Sequence, residues 1–263
     1  MVAVLIFVLG LAIGSFLNVC IYRIPREGLS INVPQRSFCP QCQTPIRVYD
    51  NIPVVSFLLL RGHCRACNSK ISISYPIVEL VTGGLYLVML YRFGISLELL
   101  HGCLFVTLLV PVAWIDARWY IIPNAIIYLG GIAGLAITSS ISLIRQDVNF
   151  FIEHLVGAIA GCAATALIGV LGGIIFRKQA MGMGDVKLMG LIGMFLGAWP
   201  HLLLVIMSSA LIGSVVGVTL IICGAKDGPH SRIPYGPFLA FGAVLDLLWG
   251  RTIWVWYLKL IGW

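Results

Sequence analysis

Eight long apolar stretches govern what this chain can become. About 20 consecutive apolar residues cross a bilayer as a helix. Such runs fall at residues 2–22, 76–93, 97–115, 122–143, 153–176, 186–198, 200–223 and 235–250. The run 186–198 is short, and only Ala198-Trp199-Pro200 separates it from the next. The aromatic tail after Arg251 either prolongs the last span or lies at the interface, a depth that tryptophan and tyrosine favour. Charged residues make up 10% of the chain, against roughly a quarter in soluble domains. The expected fold is therefore an all-α polytopic membrane protein of about eight helices. The N-terminal run lacks a basic head and a small-residue cleavage site, so it reads as a retained first span.

Eight spans put both termini on one side. Thirteen lysines and arginines then share one face: Arg23, Arg26, Arg36, Arg47, Arg61, Arg65, Lys70, Arg118, Arg177, Lys178, Lys187, Lys226 and Arg232. Only Arg92, Arg145, Arg251 and Lys259 fall on the other. The positive-inside rule places the richer face in the cytosol. The net charge of +7 thus serves topology, and no nucleic-acid partner is expected. The chain divides into a first helix (1–22), a polar cytoplasmic segment (23–75) and a helical bundle (76–263). A segment of about fifty residues is too small to build a strong core unaided.

Cysteines supply what that segment lacks. Cys39-Pro-Gln-Cys42 and Cys64-Arg-Ala-Cys67 are two C-x-x-C pairs. Each pair can offer two thiolates to one tetrahedral ion, in the manner of a zinc ribbon. A cytosolic location argues against structural disulfides. Four thiolates fill the shell of a Zn²⁺ ion, so this zinc is structural. Cys20, Cys103, Cys162 and Cys223 lie singly in apolar runs and read as small apolar side chains.

Two carboxylates stand at the cytoplasmic ends of apolar runs. Asp116 lies in WIDARWYIIPN and Asp185 in AMGMGDVKLMG. Two close carboxylates in a low-dielectric site share a proton, so one can act as base on water while the other polarises a carbonyl. Gly182 and Gly184 would let a substrate backbone approach Asp185 without meeting a side chain. A plainer alternative stays open: both aspartates end spans as interfacial charges, and Asp185 caps the helix it begins. Glu98 and Asp246 read as ordinary end-of-span charges. Glu79, a few residues into the second span, is harder to dismiss. There is no metalloprotease H-E-x-x-H, no P-loop and no dinucleotide fingerprint.

Six pieces in order resemble the bacterial type IV prepilin peptidases, membrane aspartic proteases of the G-x-G-D type. They are GSFLNVCIYRIP at 14–25, CPQC with CRAC, YPIVEL at 75–80, DARWYIIPN from Asp116, GMGDVKL at 182–188 and IPYGPFLA at 233–240. The resemblance implies an endopeptidase with Asp116 and Asp185 catalytic. It implies type IV prepilins or pseudopilins as substrates, their basic leader cut at the cytoplasmic face of the bacterial inner membrane. It also implies N-methylation of the new terminus by S-adenosylmethionine. No glycine-rich pocket for that donor is readable, and Glu79 is the one candidate for its site. A peptidase without methyltransferase activity is one alternative. A zinc-ribbon membrane scaffold or transporter is another. Oligomeric state is not readable.

Overall fold

The computed structural model describes residues 1–33, 36–177, 181–223, 233–260 and 262. Lys178, Lys226 and Arg232, which entered the charge map, lie outside these residues. Among the described residues the helices are α1 (Val2–Arg23), α2 (Val55–Leu59), α3 (Ser74–Phe93), α4 (Leu97–Trp119), α5 (Asn124–Arg145), α6 (Val148–Phe176), α7 (Met183–Leu196), α8 (His201–Ile222) and α9 (Gly236–Leu260). Seven of them, all but α2 and α7, are long and apolar enough to cross a membrane. The chain is a multi-pass membrane protein. The aromatic tail continues α9 in one helix as far as Leu260.

The run at 186–198 forms α7, a helix of 14 residues. At 1.5 Å per residue it is about 20 Å long, shorter than the hydrocarbon core. It is buried without interruption from Leu188 to Leu196. A helix that is apolar all round belongs inside a bundle, and α7 packs on α5, α6, α8 and α9.

The fold separates into two compact units, Met1–Pro111 and Val112–Trp263. In each, glycines let two helices meet backbone to backbone. In the first unit α1 crosses α3 at Gly10 and Gly14. A β-carbon on Gly10 would lie 2.7 Å from Gly83 Cα, and one on Gly14 would lie 2.7 Å from Glu79 Cα. In the second unit α7 runs antiparallel to α6. A β-carbon on Gly157 would lie 2.5 Å from the Gly193 carbonyl oxygen, and one on Gly161 2.5 Å from that of Met189. Carbon atoms pack at about 3.5–4.0 Å, so no larger residue fits these crossings as they stand. Small residues four apart are the usual device for helix association in lipid, where there is no hydrophobic force between helices. Asp147 caps α6, accepting the Asn149 and Phe150 N–H groups.

Candidate functional site

Asp116 sits in the last turns of α4 and is 5% exposed. Its Oδ2 accepts the N–H of Gly236, the first residue of α9, at 2.8 Å. A β-carbon on Gly236 would itself stand 2.8 Å from that oxygen. The preceding residue, Tyr235, is held by a 2.7 Å hydrogen bond between its hydroxyl and that of Ser209 on α8.

Asp185 lies in the first turn of α7 and is half-buried. Its Oδ2 accepts the Gly182 N–H at 3.2 Å, so it does cap its own helix. Capping does not exhaust its surroundings. The Asp116 charge acts on Asp185, and the Asp185 charge acts in turn on Tyr235. The face of Gly184 where a β-carbon would stand meets Ile122, whose Cβ would be 3.0 Å away. Gly182, further out, is exposed. Lys187 donates from Nζ to Asn124 Oδ1, at the start of α5, at 2.9 Å. The end of α4 and the starts of α5, α7 and α9 therefore converge. The result is a pair of interacting carboxylates, each with one oxygen fixed by a backbone N–H.

Sequence reasoning named both aspartates but gave Gly236 no role. The signal was the block IPYGPFLA, noted only as a piece of resemblance. It also set Asp246 near a span end. Because α9 runs on to Leu260, Asp246 is internal and 2% exposed, and its Oδ2 lies 2.8 Å from His201 Nδ1. Glu79 is buried in α3, with its Oε2 accepting the Val54 N–H at 2.7 Å.

The four clustered cysteines come together in the first unit. Their sulfurs all lie within 4.8 Å of one another, and Cys39 Sγ is 3.9 Å from Cys67 Sγ. A tetrahedron of Zn–S bonds of about 2.3 Å has edges of about 3.8 Å, so the donor set fits zinc. Two turns of the same design present it. In each, the first cysteine's carbonyl accepts from the residue four on: Gln43 N–H at 2.8 Å and Asn68 N–H at 2.9 Å. Its N–H donates to the carbonyl of the residue five on: Cys39 to Thr44 O at 3.0 Å and Cys64 to Ser69 O at 2.8 Å. Gln43 and Asn68 both take left-handed backbone, at φ 58°. Burial works against the Cys39 thiolate. The Cys42 and Gln41 N–H groups and the Ser69 and Cys64 side chains outweigh it and bring the thiol down to about 6. A bidentate Arg65–Asp50 pair at 2.7 and 2.9 Å ties the second turn to the segment Val48–Asn51.

The pattern of the bacterial peptidase A24 N-terminal domain matches residues 8–93, and that of the type IV leader peptidase family matches 103–218. The chain is 39% identical to a prepilin leader peptidase/N-methyltransferase of Myxococcus xanthus, over 88% of this chain and 66% of that one. It is 34% identical to the protein of the same name from Pseudomonas putida, over 97% and 93% of the two chains. For that of Bacillus subtilis the identity is 36%, over 97% and 98%. No solved structure matches the chain.

Proposed function

Because this chain belongs to the type IV leader peptidase family, we propose that it cuts the leader from type IV prepilins or pseudopilins and methylates the new N-terminus. The observation that carries the peptidase reading is the interacting pair Asp116 and Asp185. In this reading one carboxylate takes a proton from water as it attacks the scissile carbonyl, and the other, protonated, donates to the carbonyl oxygen. The proton then passes to the leaving amine, with no acyl-enzyme. Gly182, exposed beside Asp185, puts no side chain in the way of a substrate backbone, whereas the face of Gly184 is already covered by Ile122. Gly236 holds Asp116 in place.

The bundle 76–263 carries this chemistry. The segment 23–75 is a small domain held by Zn²⁺ on Cys39, Cys42, Cys64 and Cys67. The host membrane is the bacterial inner membrane, with the aspartates and the zinc domain on the cytoplasmic side, as the charge map favours. S-adenosylmethionine is the co-substrate for methylation.

The test is to incubate the purified protein with a prepilin, with and without S-adenosylmethionine, and weigh the product. Loss of the leader in both samples, and a further single methyl group only with the donor, is the expected result. Leader loss without a methyl group would leave a peptidase alone. An intact prepilin, beside a known peptidase that cuts it, would overturn the reading.

A further inference from the structure

The segment 23–75 concentrates its exposed apolar side chains in one stretch. Val48, Leu58 and Leu59 are 84%, 67% and 76% exposed, and Tyr49, Ile52 and Val55 are exposed with them. Val55, Leu58 and Leu59 share one face of α2, at the i, i+3 and i+4 spacing. Ile52 and Val48 continue that spacing upstream, through the 3₁₀ turn Val48–Asn51. The opposite face points inward. Ser56 is buried, and its hydroxyl donates to the Tyr49 carbonyl at 3.0 Å, which joins α2 to the turn. Phe57 lies against Gly62. An apolar face of this extent on a polar segment marks contact with something apolar.

The depth of the stretch identifies that contact. Val54 donates its N–H to Glu79 Oε2 at 2.7 Å. Ser15 and Asn18 of α1 hydrogen-bond the same carboxylate. These two residues precede the end of α1 at Arg23 by about 12 and about 8 Å along the helix axis. With 22 residues α1 is about 33 Å long, and the hydrocarbon core is about 30 Å thick. Val54 therefore lies level with the acyl chains, and α2 starts from it. Interfacial helices bury their apolar face to a depth of about 5–10 Å. Arg47 and Arg61 stand exposed at the two ends of the stretch, suited to anionic headgroups. Its one acid, Asp50, is already paired with Arg65. Backbone N–H groups that face hydrocarbon need partners within the chain, and those of Val54, Ser56, Leu58, Leu60 and Gly62 have them.

We propose that residues 48–60 are a membrane anchor, laid in the lipid leaflet beside α1 and α3. Val48, Ile52, Val55, Leu58 and Leu59 enter the acyl chains, and Arg47 and Arg61 meet anionic headgroups. The zinc domain is thereby held at the bilayer by a third attachment, besides the two helices that enter and leave it. Without the anchor it would hang from those helices alone, with a row of leucine and valine side chains in water.

The experiment uses the full-length, zinc-loaded protein in nanodiscs of phosphatidylethanolamine and phosphatidylglycerol. A fraction of the lipid carries a photoreactive diazirine on its acyl chain. After irradiation the protein is digested with trypsin, which cuts after Arg47 and Arg61 and so releases residues 48–61 as one peptide. We expect that peptide to carry lipid label, as the spanning helices do, and residues 66–70, exposed but polar, to carry little. Leu58→Glu with Leu59→Glu should lower the label on the peptide at least about tenfold, because burying one leucine side chain is alone worth about that factor. Zinc content, melting and the label on α5 report whether the double variant remains folded and inserted. Absence of label from residues 48–61 in the wild type, or unchanged label in the folded double variant, would overturn the proposal. So would label that added prepilin displaces and replaces with its own crosslink, which would give the face to substrate. Cleavage is not a readout here, so the anchor can fail while the peptidase reading stands, and the reverse.

Discussion

One backbone N–H, that of Gly236, fixes the Asp116 carboxylate, and the space a side chain would need there is already filled by that carboxylate. Gly236→Ala should push the carboxylate aside without unfolding the bundle. Displacement of a catalytic group by about 1 Å can cost on the order of a hundredfold in rate. We therefore expect cleavage to fall by roughly that factor with melting nearly unchanged, read by a timed prepilin assay beside a melting curve. Asp116→Asn and Asp185→Asn each replace a carboxyl by an amide that cannot exchange a proton with water, and each should lower cleavage by about 10²–10⁴-fold. Wild-type rates in either folded variant would remove the pair from the mechanism. Both aspartates could be found by reading, because a carboxylate at the end of an apolar run stands out. Gly236 could not: its contribution is an N–H that every residue but proline possesses, made useful by a partner 120 residues away.

Helices were readable for a different reason. Hydropathy reports length and lipid compatibility, and those two properties fix the spans. It does not report which small residue faces which neighbour. The run forming α7 accordingly read as a short span, with no sign that other helices bury it on every side, and no glycine register could be foreseen. These registers are testable. Gly193 and Gly157 meet backbone to backbone, whereas a β-carbon on Gly131 would reach open space. Gly193→Ala should destabilise the protein by about 1–3 kcal/mol through overpacking. Gly131→Ala, in an open helical position, should be neutral or stabilising by up to about 1 kcal/mol. Thermal melts in one detergent compare them, and equal losses for the two substitutions would contradict the α6–α7 packing.

For the molecule as a whole, the two-pair cysteine spacing points to a candidate metal site, and the four sulfurs do come together. What it did not announce was that the two turns share one design, since FCPQCQTP and HCRACNSK have little but cysteine in common. The repetition is in backbone hydrogen bonds, which side-chain identity does not record. Metal binding of this kind is coupled to folding. Stripping the metal with a strong chelator should open residues 36–73 to limited proteolysis while the spanning helices stay protected. Cys39→Ser should do the same and lower the zinc content from one ion per chain. Unchanged digestion after full metal removal would mean that the segment folds without it.

The burial of α7 also has a consequence in time. Two of the helices that enclose it, α8 and α9, follow it in the chain, and α9 begins with the residue that anchors Asp116. While the ribosome is still making those helices, the two aspartates exist but have no assembled site. A nascent chain stopped before residue 233 should therefore be proteolytically silent even with both carboxylates already inserted. The site becomes competent only once α9 has been made and has packed against α7.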